Sequence, residues 1–473
     1  EPFVERIIQY LDKENGGFKG APKFPQFYIF QTLYYFFTTN KKKEFLYPVE
    51  NLLMKISSKG IYDHLGGGIA RYTVDEKWIT PHFEKMLYDN IQFVILLTHY
   101  TSNFNSPYLK KKLKQTIEFI NTEFKTNNDY LGSAYDADSE GIEGKFYIWE
   151  YSDLANLLKD KFETIKKIYD ISEKGNFEGF NILVEKENVK LSKDELNDLE
   201  LGKEILKNER NKRVKPFFDD KVQIDLNCYW LYSNLYASLV LDDENLYRAT
   251  IKLSKGLISK LENNIYHCYE STNKDNIVFL EDYSYISLLL ITLYELENDQ
   301  QSLNLCKNIM NNAWDLFFNN NYQLLQKNVI KNNDLFVNPI DITDNNIPNG
   351  NSIYLNVCNK LKNITNENEW QKKIDILSKT FHSYINYNFS QMFSFIKVLD
   401  LCEKNLTITF HSNNEKYKNF IKNIDINFLS DTTILHKENN DEFFAVICQN
   451  QICSEKLKDL DDFKNYLKNL NNV

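Results

Sequence analysis

Two runs of this 473-residue chain hold residue types that move protons. In Thr80-Pro81-His82-Phe83-Glu84-Lys85-Met86-Leu87-Tyr88-Asp89-Asn90, Thr80 can cap a helix and Pro81 suits its first position, where a missing N–H is not needed. A helix starting there puts His82, Lys85, Asp89 and Gln92 on one face, with Phe83, Leu87, Ile91, Val94 and Ile95 on the apolar side. A histidine near an aspartate can shuttle a proton at neutral pH, and the bland alternative is a solvated face with a capping histidine. The second run crowds Asp136, Asp138, Glu140 and Glu143 together. Crowded carboxylates raise one another's pKa, so one of them is a candidate general acid, with Asp138 facing a pocket; an Asx-type turn is the structural alternative. The run begins like a calcium loop, but Tyr147 stands where a bidentate glutamate is required.

Other motifs exclude more than they propose. Gly66-Gly67-Gly68, followed by Arg71 and Tyr72, reads as a mobile loop carrying a cation and a ring, without the strand-then-helix setting of a phosphate loop. Asp219-Asp220 and Glu281-Asp282 each precede a helix, where acids interact well with the helix dipole. Cys448 and Cys453 lie outside any zinc spacing, and no HExxH or GxSxG occurs, so neither a metal nor a cofactor is expected. His99, His267, His382, His411 and His436 read as ordinary partly buried or surface residues. Seven scattered cysteines point to reduced thiols and a cytoplasmic compartment rather than a disulfide framework. The first residue, Glu1, leads us to expect a processed or truncated chain whose targeting signals are not legible. A net charge of -10 with interspersed signs argues against nucleic acid, and no apolar run reaches membrane-span length.

These residues need elements to hold them. Most of the chain repeats with the helical period: Ile286, Leu289, Leu290, Leu293 and Leu296 form one stripe, and Leu246, Ala249, Leu253 and Leu257 another. Six loops rich in Gly, Pro, Asp and Asn (16–25, 63–81, 133–145, 217–227, 278–284 and 344–352) each precede a helical stretch. The helices pair as 26–39 with 45–58, 82–103 with 106–126, 224–241 with 245–263, 284–297 with 300–318 and 351–363 with 367–388, with a less distinct third pair inside 152–170. Short links between antiparallel partners put alternate loops at one end. Six pairs can close into a mainly α (α/α)6 toroid with these loops on one rim, the alternative being an open solenoid. We expect the toroid to occupy 1–404, with a charged excursion near 170–216, and a small α/β C-terminal region at 405–473, where LTITF, TTILH and EFFAVIC read as strands. If the toroid were a hydrolase, its rim would need two carboxylates, and Asp282 is the best candidate of the paired acids.

The loops also carry a resemblance. APKFP (21–25), DHLGGGIARYTVDEKWITPHFEKMLYDN (63–90), AYDADSEGIEGKFYIW (134–149), LEDYSYI (280–286), PNGNS (348–352) and the tail AVICQNQICSEKL (445–457) are similar, in this order, to signature blocks of the YyaL / spermatogenesis-associated protein 20 family. That family's helical region is similar to six-hairpin glycosidases and N-acylglucosamine 2-epimerases, which implies a toroid with a sugar-like pocket, and its members usually carry a thioredoxin-like domain as well. The departures are Leu226-Asn227-Cys228 in place of a Trp-Asn-Gly run and ESTNKDN (270–276) in place of a glycine-rich stretch. The resemblance does not fix a reaction, since one toroid hosts many chemistries; the function expected is acid–base hydrolysis or epimerisation of a sugar-like ligand. Candidate catalytic residues are His82, Asp89, Asp138 and Asp282; candidate binding residues are Lys23, His64, Arg71, Tyr72, Glu84, Asp136 and Asn351. A non-catalytic helical scaffold that partners a thioredoxin-like domain is the alternative.

Overall fold

The computed structural model describes residues 2–261, 264–269, 277–329, 340–439, 442–450 and 452–470, so the 270–276 stretch lies outside the described residues. In chain order, α1 (Pro2–Ile8) precedes two hairpins, α2 (Phe27–Asn40) with α3 (Lys43–Ser58) and α4 (Leu87–Asn103) with α5 (Pro107–Glu123). Three helices follow: α6 (Tyr151–Leu158), α7 (Phe162–Ile168) and α8 (Lys193–Arg210). Three more hairpins join α9 (Ile224–Leu241) to α10 (Glu244–Leu261), α11 (Leu280–Glu297) to α12 (Gln300–Phe317), and α13 (Gly350–Thr365) to α14 (Asn368–Asn388). Then come α15 (Phe393–Lys404), α16 (Asn414–Ile421), α17 (Ile426–Asp431) and α18 (Leu460–Leu470).

Six helices form a closed inner ring: α2 packs on α4, α4 on α9, α9 on α11, α11 on α13, α13 on α15, and α15 returns to α2. The fold is an (α/α)6 toroid. Ring helices have neighbours on every side, so their sequences are apolar nearly all round; in α11 every residue from Asp282 to Leu296 is buried. Outer helices bury one stripe, and in α10 that stripe is Tyr247, Thr250, Ser254, Leu257, Ile258 and Leu261. It is rotated from the stripe expected through Leu246, Ala249 and Leu253. Buried hydroxyls are tolerated there because Thr250 donates to the Leu246 carbonyl (2.7 Å) and accepts from Asn234 (2.9 Å), and Ser254 donates to the Thr250 carbonyl (2.8 Å).

The hairpin expected inside 152–170 is not part of the ring, and α15 fills the sixth inner place. α6, α7 and α8 pack on one another around Leu154, Leu158, Phe162, Ile165, Leu199 and Leu206. A buried ion cluster ties them to the toroid: the Asp63 carboxylate accepts from Arg210 of α8 (2.7 Å) and from Lys85 (2.8 Å).

The loops preceding the ring helices are laced together by short ladders: Lys23 with Thr73, Tyr72 with His82, Lys85 with Tyr135, and Ala134 with Asp219. The inner helices themselves grip these loops. Asn90 accepts from the Ile69 N–H (2.8 Å) and donates to the Ile69 carbonyl (3.1 Å). Asn227 does the same to Leu131 (2.8 and 3.0 Å), and Asn351 to Leu325 (3.1 and 2.9 Å). The triple glycine is not a free loop either. Gly68 lies at φ 76°, and a Cβ there would stand 2.3 Å from the Phe119 ring of α5, so the turn needs glycine to lie flat on that helix.

The opposite mouth is closed by the C-terminal segment. Its four-stranded sheet runs in the order 433–438, 406–412, 444–449, 452–453, with the first pair parallel and the others antiparallel. Buried Glu295 of α11 accepts from Lys360 of α13 through both oxygens (2.8 Å each) and from the Ile434 N–H (3.1 Å), while Lys360 also donates to the Thr432 carbonyl (2.6 Å). α17 adds a His99–Asn427 hydrogen bond (2.6 Å) and a Lys397–Asp431 ion pair (2.7 Å). Cys448 and Cys453 face each other across the last strand pair and are disulfide-bonded, against the expectation of reduced thiols throughout. The antiparallel register sets them opposite, which a five-residue spacing does not reveal. Among the described residues, no helix is long and apolar enough to cross a membrane.

Candidate active site

Where the loops meet the N-terminal ends of the ring helices, the expected polar helix face splits. His82 belongs to the strand Pro81–His82, and Lys85 to Lys85–Met86, so the helix starts only at Leu87. Ladders to Tyr72–Thr73 and Ala134–Tyr135 supply the hydrogen bonds that a first helical turn would have made. Lys85 therefore turns away into the Asp63 cluster, while Asp89 and Gln92 remain one turn apart on α4.

Around those two lies the first sector of the rim. The Arg71 N–H donates to the Glu84 carbonyl (2.9 Å) and its guanidinium to the Glu84 carboxylate (3.1 Å). Burial holds the Asp89 carboxyl well above the usual carboxylate range; Arg71 opposes that shift and Glu84 reinforces it. Arg71 Nε, Tyr88 Oη, Asp89 Oδ2 and Gln92 Oε1 are all buried without a protein hydrogen-bond partner. Each such atom, left unanswered, costs about 1–3 kcal/mol, so these four offer hydrogen bonds to water or a bound molecule. Beside them three rings stack in a row, Phe24 on Tyr72 (4.6 Å) and Tyr72 on His82 (5.0 Å). His82 Nδ1 meets Glu143 at 2.7 Å. Glu143 pairs across its small hairpin with Asp138, and Asp136 and Asp138 are exposed, so the acidic loop reaches His82 through Glu143 instead.

Of the second sector, sequence reasoning found Asp282 and missed Asp225 and His267. Asp225 of α9, His267 and Asp282 of α11 offer donor atoms that all lie within 4.8 Å of one another, a group able to hold a metal ion. Asp282 Oδ2 accepts the Phe279 N–H (2.8 Å), closing the start of α11, while Oδ1 meets His267 Nδ1 at 3.0 Å. Burial, then the Asp282 charge, pushes the Asp225 carboxyl up to about 7, and burial pushes Glu281 to about 7 as well. Asp225 gives little sequence signal, being one more acid in a first helical turn. His267 gives none, because it is placed by backbone bonds from Ile224 to its carbonyl (2.9 Å) and from its own N–H to Ile277 (3.1 Å).

Three expected binding residues have structural duties. Buried Lys23 donates to Asp12 (2.9 Å) and to the Glu76 carbonyl (2.8 Å). His64 is buried between the Lys59 carbonyl (3.0 Å) and Glu185 (3.0 Å), and Asn351 spends its amide on Leu325. Of the four expected catalytic residues, His82 and Asp138 both adjoin Glu143, Asp89 lies near Arg71 and Glu84, and Asp282 lies with Asp225 and His267. A cavity of about 80 Å³ lies on the ring axis, and its lining residue Gln31 donates to the Gln92 carbonyl (3.4 Å).

No family model matches the chain. It is 25% identical over 436 residues to spermatogenesis-associated protein 20 of Rattus norvegicus, covering 80% of this chain and 54% of that protein. The corresponding human protein is 25% identical over 341 residues, covering 62% of this chain and 43% of that one. The chain spans about half the length of the curated relatives it matches. Among solved structures, cellobiose 2-epimerase from Bacillus thermoamylovorans B4167 aligns with a TM-score of 0.51 at 13% identity, covering 81% of this chain and 83% of that one.

Proposed function

We propose, for this relative of spermatogenesis-associated protein 20 built on an (α/α)6 toroid, that the rim around Arg71 and Asp89 binds a sugar-like small molecule and acts on it by acid–base chemistry. The observation that carries this reading is the set of four buried, unpartnered polar atoms on Arg71, Tyr88, Asp89 and Gln92. Donors and acceptors at this density suit a polyhydroxylated ligand, whose hydroxyls both give and accept hydrogen bonds. Asp89, kept protonated by burial, is the acid, and Glu84, which Arg71 contacts at 3.1 Å, is the base. An acid and a base side by side serve either a hydrolysis or an epimerisation. The Phe24–Tyr72–His82 stack gives the apolar face of a sugar ring a surface to lie on. The toroid shared with a cellobiose 2-epimerase supports the substrate class.

The test is a thermal-shift screen of monosaccharides, disaccharides and uronic acids, followed by turnover assays on the hits. Asp89→Asn is expected to lower turnover about 10²-fold or more while the ligand still binds. Arg71→Ala should abolish the thermal response. A parent chain that answers no sugar, or variants that answer like the parent, would overturn the reading and leave the scaffold role in its place.

A further inference from the structure

The hydrogen bonds around His267 decide which of its nitrogens carries a proton. Ser133 Oγ lies 2.6 Å from the Lys221 carbonyl and 3.0 Å from the Gln223 side-chain oxygen as placed. A hydroxyl has one proton and cannot serve both acceptors. The shorter contact takes it, so the Gln223 amide presents its NH2 to Ser133 and its oxygen to His267 Nε2, 3.1 Å away. Nε2 must then be the N–H of the ring. That leaves Nδ1 pointing at Asp282 Oδ1, whose other oxygen is already held by the Phe279 N–H. Two acceptor atoms 3.0 Å apart need either a shared proton or a metal ion that both can ligate. Asp225 adds a third donor, and Glu281 follows with a buried oxygen that has no protein partner.

We propose that Asp225, His267 through Nδ1, and Asp282 through Oδ1 bind one divalent transition-metal ion, Mn²⁺ or Zn²⁺. Two carboxylates and one imidazole are the oxygen and nitrogen donors such ions take; calcium would need six or more oxygens. The three donor atoms lie within 4.8 Å of one another, and ligands at about 2.1 Å from one ion stand at most about 4.2 Å apart, so little movement is needed to close on an ion. An imidazole that binds through one nitrogen while an amide oxygen holds the other N–H is the usual outer support of a metal-ligating histidine. Charge agrees as well: two carboxylates and a neutral imidazole carry -2, which one divalent ion cancels. When the ion displaces a proton shared by His267 and Asp282, that proton passes to solvent. The site uses none of the residues of the Arg71–Asp89 sector, so failure of the sugar reading leaves it standing, and the reverse holds too.

The experiment is calorimetric titration of the chelator-stripped full chain with MnCl2 and with ZnCl2, in two buffers of different ionisation enthalpy. One ion per chain with net proton release is expected. Asp225→Asn, Asp282→Asn and His267→Gln should each weaken binding at least tenfold, and Gln223→Ala about 10–100-fold. No saturable one-to-one binding, or variants that bind like the parent, would overturn the site and leave His267 as an imidazolium bridging two carboxylates. Should the variants misfold, carbethoxylation of the parent chain decides. The ion should shield His267 and leave the labelling of exposed His382 unchanged, and equal labelling of His267 with and without metal counts against the proposal.

Discussion

Two clusters of buried polar groups, one near each mouth of the ring, are handled in opposite ways. At the far mouth Glu295, Lys360, the Thr432 carbonyl and the Ile434 N–H satisfy one another completely. At the loop-bearing mouth Arg71, Tyr88, Asp89 and Gln92 each keep an atom that no protein group answers. Both regions pay to bury polarity, but only the first recovers it from within the chain. A closed network fastens one segment to another; an open one leaves hydrogen bonds that a bound molecule can make.

The largest expected effect comes from breaking the closed network. Lys360→Ala leaves the Glu295 carboxylate buried without its cation, which should cost about 3–5 kcal/mol in urea unfolding. Replacing both partners by Met and Leu should recover most of that loss, and a double variant as unstable as the single one would show that the pair is not the fastener. Asp344 offers an intermediate case. Burial raises its carboxyl to about 6 against Ser394 and Asn349 donors, so the folded chain binds this proton more tightly than the unfolded one. Its contribution is therefore full below about pH 4 and declines by about 3 kcal/mol as pH rises through 6. Subtracting the stability of Asp344→Asn from that of the parent across this range should expose the slope; a flat difference contradicts it. Removing one loop grip, as in Asn227→Ala, should cost about 1–3 kcal/mol by stranding the Leu131 N–H and carbonyl. The smallest effect belongs to the open network, where Asp89→Asn and Arg71→Ala should change stability by no more than about 1 kcal/mol.

Much of the ring was legible because its signal is local. The stretch 224–241 read from periodicity matches α9 (Ile224–Leu241), and 300–318 is close to α12 (Gln300–Phe317). Arg71, Tyr72, Glu84 and Asp89 were candidates on residue type, and they stand in one sector. What could not be read depends on partners distant in sequence. The strands at His82 and Lys85 exist only because loops near 72 and 135 reach them. Lys23 and His64 resemble ligand-binding residues until Asp12 and Glu185 come alongside. The 152–170 segment imitates a ring hairpin in its period, and only the hydrophobic cluster it shares with α8 shows that it stands apart.

The asparagine grips on Ile69, Leu131 and Leu325 take hold of peptide groups, which every amino acid supplies alike. A rim fastened by its main chain can exchange its side chains one at a time without shifting its outline. New chemistry could thus be tried at this mouth while the scaffold beneath it stays as it is.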